Sequence, residues 1–595
     1  MSFISSSQAE LKWIWKQGKI TTEKAEFKKS FQLKEKPKNA TLKISCDNEF
    51  VITINGKKMG SSKQWNAPLA KDISRQLKKG KNEILVHAKN EGSMAGLLCE
   101  IKMREQTITT DASWQARSPK GEWQNAVEIK AYGQGPWGEV FKIKAANATS
   151  ESTLKLPEGF KAELLYSVPK HDQGSWVGMT IDDKGRLITC DQYGGFYRID
   201  VLNKFSVEKL VLDIEGAHGV FYAFNSLYVM INDHKERGLY RFQDSNGDGQ
   251  FDRKELLMLI QAGGEHGVHS MVLSPDGQSI YLVIGNSYPA NNIAELQKSR
   301  LANAWGEDHI LPRLWDPRGH AKGKLAPGGV IIKTDKDGRE FELISMGYRN
   351  QFDVAFNLEG DLFTYDADME WDVGSPWYRP TRVNHIVSGS DYGWRSGSGK
   401  WPEYYADSLP ATINIGPGSP TGVSSGKGAA FPEKYQRAIY INDWTYGTMY
   451  AIHQEVQGAS YTATKEEFVS GIPLPLTDVI IHPTDGNMYF MIGGRRTQSG
   501  LYRVSYTGSE STAPAKPRTI SAEAKLRREL EQYHLDGTGP DAIEKAWPHL
   551  NHSDRFVRYA ARVAIEKQAV ANWKDKALAD DLWQRHFGIV FDTKN

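Results

Sequence analysis

Residues 264–286 read GEHGVHSMVLSPDGQSIYLVIGN and set two imidazoles, His266 and His269, at the head of an apolar segment. Histidine titrates near neutrality, so such a group can take a proton from a hydroxyl. On a strand, residues three apart face opposite sides, which makes His266 the candidate base and His269 a structural residue. Arg349 and Asn350 follow in GYRNQFD, where a guanidinium can stabilise developing negative charge and an amide can orient a ligand. His218, in GAHGVFY, echoes EHGVHS and offers a further imidazole.

A second constellation occupies a twelve-residue loop. Asp244, Asn246, Asp248, Gly249, Gln250, Asp252 and Glu255 stand at positions one, three, five, six, seven, nine and twelve. This is the EF-hand ligand spacing, with Asp and Asn oxygens, a backbone carbonyl from Gln250 and a bidentate Glu255 for calcium. The flanks GLYRFQ and LLMLIQ read as strands, so the expected calcium is structural and no switch.

The elements that must position these groups are mainly β. Residues 1–147 alternate with period two, with Asn55-Gly56 as a hairpin turn, and are predicted to form a jelly-roll β-sandwich of the galactose-binding-like class. Trp65, Trp123 and Trp137 are stacking candidates or core residues there. Residues 148–157 read as a linker. Over 158–507 the pattern of apolar strand, acidic-Gly turn and apolar strand recurs in MTIDDKGRLITCD, MVLSPDGQSIYLVIGN, VAFNLEGDLFTYDAD and VIIHPTDGNMYFMIGG. Such repeats predict a six-bladed β-propeller, whose strand ends crowd a central channel mouth. The irregular segment 365–439 contributes Asp366, Asp368, Trp371, Trp377, Tyr378, His385, Tyr392 and Trp394 as a candidate site wall. Residues 508–595 form a short α-helical, HEAT-like tail expected to dock on the propeller, with Ser553 capping its third helix.

Composition excludes several classes. Among 595 residues, 74 Lys and Arg face 72 Asp and Glu, so bulk charge offers nothing to nucleic acid or an anionic membrane. The three cysteines Cys46, Cys99 and Cys190 form no CxxC pair, which excludes covalent haem and a zinc ribbon. No apolar run is long enough to span a membrane. The N-terminal sequence lacks a signal-peptide pattern; the localisation expected is secreted or periplasmic, with the signal peptide not present in this chain.

EHGVHSMVLSPDGQSIYLVIGN, GYRNQFDVAFNLEGDLFTYDAD and SDYGWR resemble the soluble glucose/sorbosone dehydrogenase propellers, which use pyrroloquinoline quinone (PQQ) and calcium. DADMEWDVGSPWYRPTRVNHIVSGSDYGWRSGSGKWPEYY and GPGSPTGVSSGKG resemble a bacterial family named membrane-bound dehydrogenases, often fused to HEAT repeats and cytochrome c. The resemblance spans about residues 157 to 590. It implies His266 as catalytic base, Arg349 and Asn350 against quinone and substrate, and channel calcium near the turn of residues 366–369. In that family a Lys and two Arg hold the quinone's three carboxylates. Here Thr445, Pro475 and Thr477 stand at those positions, leaving Arg495 and Arg496 as substitutes. Each missing charge-assisted hydrogen bond forfeits roughly 1.5 to 3 kcal/mol.

The function expected is a carbohydrate oxidoreductase that oxidises a sugar hydroxyl or aldehyde and passes electrons to a quinone or to a separate acceptor such as a cytochrome. The alternatives are a non-catalytic glycan-binding propeller, or a polysaccharide lyase built on the same His and Arg.

Overall fold

The computed structural model describes residues 11–18, 23–62, 65, 68–92, 94–104, 106–141, 148–232, 236–289, 296–301, 324, 326–370, 373–376, 378–395, 399–535, 539 and 541–579. The chain is mainly β and divides into two compact units. One comprises Met1–Ala146 with Pro169–Gln173, the other Asn147–Val168 with Gly174–Asn595.

The first unit holds two six-stranded antiparallel sheets. Alternation along Gly80–Asn90 and Glu49–Ile54 sends Ile84, Val86, Phe50 and Ile52 to one side, where they meet Ile44, Leu97 and Trp114 in one core. Cys46 and Cys99 lie on paired strands, yet Cys46 sits opposite Leu97 and Cys99 opposite Ile44. Both are free and buried. Trp137 stacks on Trp13 at 4.3 Å and donates to Asp47, so it is a packing residue. Trp123 lies between Lys28 and Arg117.

In the second unit six sheets follow one another along the chain, five of them four-stranded and antiparallel; the third adds to its four antiparallel strands the short strands Lys298–Ser299 and Ser390–Asp391, both parallel to Phe341–Tyr348. Their first strands are Trp176–Ile181, Ala217–Ala223, Val268–Leu273, Val354–Phe356, Pro420–Ser425 and Leu476–Ile481. Each first strand contacts the next, and the sixth contacts the first, so the six close a ring. The sixth sheet takes its fourth strand, Phe160–Ser167, from the start of the unit, paired with Gly500–Tyr506. This joins the two ends of the ring by backbone hydrogen bonds.

The first strands share a local pattern: Val177-Gly178-Met179, His218-Gly219-Val220, His269-Ser270-Met271, Phe352-Asp353-Val354, Thr421-Gly422-Val423 and Thr477-Asp478-Val479. In five of them pairing with the second strand slips at this point, a recurrent bulge. The middle residue meets its neighbour closely. A Cβ on Gly219 would lie 2.1 Å from the His269 carbonyl oxygen, and one on Gly178 2.8 Å from that of His218. Where the middle residue is Asp, its carboxylate ties neighbouring strands together. Asp353 accepts from Ser270 Oγ at 2.5 Å and Val423 N at 2.7 Å, and Asp478 from Met179 N at 2.6 Å.

Segment 148–157 is no free linker: Ala148 is buried, Lys155 bridges Ser470, and Tyr502 donates to the Thr149 carbonyl. The C-terminal helices Ala522–Leu530, Ala542–Ala546 and Arg555–Glu566 belong to the same unit as the ring. Buried Asp361, on the fourth sheet, accepts from Arg527 at 3.1 Å, Arg528 at 2.9 Å and Tyr461 at 2.7 Å, which pins the first of these helices. The helix Arg555–Glu566 is capped by Asp554, not Ser553: its carboxylate accepts from Phe556 N and Val557 N, reaching two amides of the first turn.

Candidate functional site

The four antiparallel strands common to every sheet bring the start of strand one, the end of strand two and the end of strand four to the same end of the ring. His266 immediately precedes a first strand, Asn286 follows a second, Arg349 and Asn350 follow a fourth, and Asp366 ends a second. Topology alone therefore gathers these residues at one mouth. The loop of residues 244–255 joins strands three and four of the second sheet and lies at the other end.

Backbone and side-chain bonds knit the mouth. His266 is buried in a 3-10 turn, and its carbonyl accepts from Ser287 N at 3.0 Å and Ser287 Oγ at 2.6 Å. Its Nδ1 lies 2.7 Å from Asn286 Oδ1. With the amide oxygen as acceptor, Nδ1 carries the hydrogen and Nε2 the lone pair, the tautomer a general base needs. Asn286 N in turn donates to the Arg349 carbonyl at 3.1 Å. Asn350 bridges Glu265 O at 3.1 Å and His269 Nε2 at 2.7 Å. Thus the three residues expected to be catalytic, His266, Arg349 and Asn350, share one network, and Asn286 joins it. The sequence signal for Asn286 was its place at the end of the strand that follows His266.

Beneath them lies a fully buried ion pair. Lys400 Nζ is 2.7 Å from Asp366 Oδ2, both side chains showing no exposure, and also donates to the Ala367 carbonyl at 2.6 Å. Asp366 Oδ1 accepts from the amides of Arg349, Asn350 and Ala367 at 2.9 to 3.1 Å. Burial pushes Lys400 down to about 8, and Asp366 opposes the fall. Asp366 is therefore the anchor that shapes the Arg349-Asn350 corner rather than a ligand of the mouth. The channel calcium expected near residues 366–369 does not fit, because the Lys400 ammonium already holds the Asp366 and Ala367 oxygens.

Two guanidiniums reach the mouth with exposed carboxylate partners. Arg349, itself buried, meets Glu370 at 2.8 Å, and Glu370 is 44% exposed. Arg495 meets Glu265 at 2.9 Å, the two being 56% and 60% exposed. Since Glu265 precedes His266, this pair brings the sixth sheet's loop to the third sheet's histidine. Arg495 and Arg496 both take left-handed backbone, φ 48° and 61°, beside Gly494 at φ 77°. Arg496 covers the Tyr193 ring at 4.6 Å, away from His266's partners. Asp368 accepts from Tyr378 Oη at 2.7 Å, and burial raises it to about 6.

His218 and His269 line the ring's interior with Phe352, their rings stacked at 6.2 Å from each other. Burial lowers them to about 4 and about 3, so both are neutral at pH 7. Two other wall candidates lie elsewhere. His385 sits in the core of the fourth sheet, bonded to Ser460 at 2.9 Å and packed on Phe363, Tyr461 and Phe556. Tyr392 is fully buried, stacks on Tyr348 at 4.9 Å and donates to the His385 carbonyl. Both are core residues: His385 stands in a strand buried along its whole length, and Tyr392 follows the short buried strand Ser390–Asp391. Trp371 and Trp377 lie outside the described residues.

The calcium loop departs from its expected ligation. Asp244 accepts from Gly247 N and Gly249 N, and Asn246 and Asp248 accept from amides two residues on. Asp252 spends both oxygens on Ser245. Gln250 bonds Glu208 through its side chain, and Glu255 is held by Arg241 at 2.6 Å. Among the described residues no three His, Cys, Asp or Glu converge as a metal site. The six-ligand set does not fit calcium, because the twelfth-position acid, placed on a strand, pairs with the arginine opposite it.

No family model matches the sequence. A 154-residue stretch is 27% identical to an α-L-rhamnosidase of Streptomyces avermitilis, over 22% of this chain and 15% of the relative's length. Two solved structures align along their whole length. An oxidoreductase described as a glucose dehydrogenase, from Thermus thermophilus, covers 58% of this chain at 17% identity with a TM-score of 0.43. The PQQ-bound aldose sugar dehydrogenase of Streptomyces coelicolor covers 59% at 15% identity with a TM-score of 0.40.

Proposed function

We propose that the ring is a six-bladed propeller acting as a carbohydrate oxidoreductase, that the first unit is a jelly roll, and that His266 is the base. The observation that carries this reading is the His266 Nδ1 bond to Asn286 Oδ1, which leaves Nε2 as the proton acceptor. A sugar hydroxyl at the mouth gives its proton to Nε2 while the carbinol carbon gives up hydride, and Arg349 stabilises the alkoxide that develops. The resemblance of His266, Arg349 and Asn350 to the soluble sugar dehydrogenases points the same way.

The donor set at the mouth suits an anionic quinone in part. Arg349 and Arg495 would hold two carboxylates of PQQ in exchange for those of Glu370 and Glu265; the Arg495–Glu265 pair, exposed on both sides, is given up at small cost, and at buried Arg349 one carboxylate replaces another. Thr445, Pro475 and Thr477 supply no third cation, so we infer a loosely held, exchangeable cofactor. When bound, such a quinone supplies the two-electron acceptor. The acceptor downstream of it is a separate molecule, and the site is expected to work outside the cytoplasm.

Dye reduction across a panel of sugars, with and without added PQQ, tests this in wild type and His266→Gln. PQQ-dependent reduction that falls about a hundredfold or more in His266→Gln supports the reading. Sugar binding without any reduction in either protein would favour a non-catalytic glycan-binding ring, and cleavage of uronate polymers would favour a lyase.

A further inference from the structure

A cavity of about 410 Å³, whose lining shares no residue with the mouth, lies between the helix Arg555–Glu566 and the segment around Tyr404. Three guanidiniums, Arg555, Arg558 and Arg562, line it at helical spacing together with His552, Tyr404 and Tyr559, and its described lining includes no carboxylate. Arg562 is paired outside the lining, with Asp407 at 2.8 Å and Glu566 at 3.6 Å. Arg555 donates only to the carbonyls of Glu403, Tyr405 and Ser408. Arg558 donates through Nη1 to the carbonyls of His552 and Ser553. Among the described residues neither has a carboxylate within ion-pair distance. Two guanidinium charges thus stand side by side without an ion-pair partner, held in place by neutral carbonyls. Burial, with repulsion from Arg558 added to it, lowers Arg555, and the more distant Glu403 carboxylate offsets this only in part.

The other walls suit a ring. Tyr404 is 80% exposed, a flat phenol at the rim that nothing in its own core requires. His552 Nδ1 accepts from Asp554 N at 3.0 Å, so the neutral ring carries its hydrogen on Nε2 and is a donor. The cavity exceeds the needs of an inorganic anion and falls within the range of small-molecule sites. We propose that it binds an acidic saccharide, a uronic acid residue whose carboxylate meets Arg555 and Arg558 and whose ring lies on Tyr404. Guanidinium forks match carboxylates in a bidentate manner, and two guanidiniums without an ion-pair partner favour an anion over any neutral sugar.

Calorimetric titration of the full chain with trigalacturonate, against maltotriose and inorganic sulfate, tests the site. Expected are saturable binding of trigalacturonate that weakens as salt rises, no comparable binding of maltotriose, and a loss of about tenfold or more in Arg558→Gln. Tyr404→Ala, a surface change that leaves the fold intact, is expected to cost several-fold, as confirmed on protein of unchanged melting temperature. Absence of binding by wild type, affinity unaltered in both variants, or sulfate binding as tightly as trigalacturonate would each overturn the proposal. None of these readouts depends on the oxidoreductase activity.

Discussion

His266 Nδ1 and Asn286 Oδ1 stand 2.7 Å apart, an amide in the position where a carboxylate would make the imidazole more basic. Asn286 thus fixes the tautomer without stabilising the imidazolium. Asn286→Ala is expected to lower kcat about 10- to 100-fold with little change in KM, since the ring loses its orientation. Asn286→Asp is expected to move the acidic limb of the pH profile upward. A pH–rate profile of both variants checks this, and an unshifted limb in Asn286→Asp would remove Asn286 from the mechanism.

The two ion pairs at the mouth make opposite substitutions informative. Glu265→Gln removes a competing carboxylate from Arg495 and Glu370→Gln removes one from Arg349, so each is expected to tighten PQQ binding by a few-fold. Arg495→Gln is expected to weaken it about tenfold. Fluorescence titration with PQQ measures all three, and a weaker complex in both Glu variants would show that the carboxylates belong to the ligand site.

The buried histidines are expected to withdraw stability as pH drops from 7.5 to 5. His218, His269 and His534 have folded-state values of about 4, 3 and 4, below their ordinary 6.5. The unfolded chain therefore binds protons first, and their contribution, intact above 6.5, is lost below it by about 2 kcal/mol per group at pH 5. Asp353 and Asp368, raised to about 6 by burial, and Asp478, raised further by burial and by Asp353, work the other way, gaining stability as pH falls. The histidine share is read from melting curves against pH of wild type and His269→Gln, the variant being expected to lose less stability on acidification; an identical pH dependence in the two would contradict it.

Removing divalent metal is expected to leave the melting temperature unchanged. Arg241 holds Glu255, the twelfth-position acid of the loop, and Lys400 holds Asp366 and Ala367, so at each expected calcium position a cationic side chain already takes ligand oxygens. Thermal melts in chelator and in calcium check this, and a marked rise with calcium would mean that Glu255 leaves Arg241 to ligate.

Much of the ring's architecture was legible because its turns are chemically marked. The acidic-Gly turns in MTIDDKGRLITCD, MVLSPDGQSIYLVIGN, VAFNLEGDLFTYDAD and VIIHPTDGNMYFMIGG are the first hairpins of the first, third, fourth and sixth sheets. The second sheet turns instead through Phe224 and Asn225, left-handed at φ 51° and 52° without glycine, and the fifth spans residues 426–438 with a short helix. Neither carries that signature. At the site, His266, Arg349 and Asn350 were readable as types near strand ends. Lys400, Glu370 and the Arg495–Glu265 pair were not, because their partners are 34, 21 and 230 residues away and only the packing of one sheet and its loops on another brings them together. His385 and Tyr392 misled because an irregular, aromatic-rich segment looks alike whether it lines a mouth or packs a core.

The most direct test of His266 as the base of a sugar oxidation is PQQ-supported, sugar-dependent dye reduction compared between wild type and His266→Gln at matched stability. The result predicted is turnover in wild type with at least about a hundredfold loss in the variant and PQQ affinity largely kept. Equal turnover in the two proteins, or none in wild type that demonstrably binds both PQQ and sugar, would contradict it.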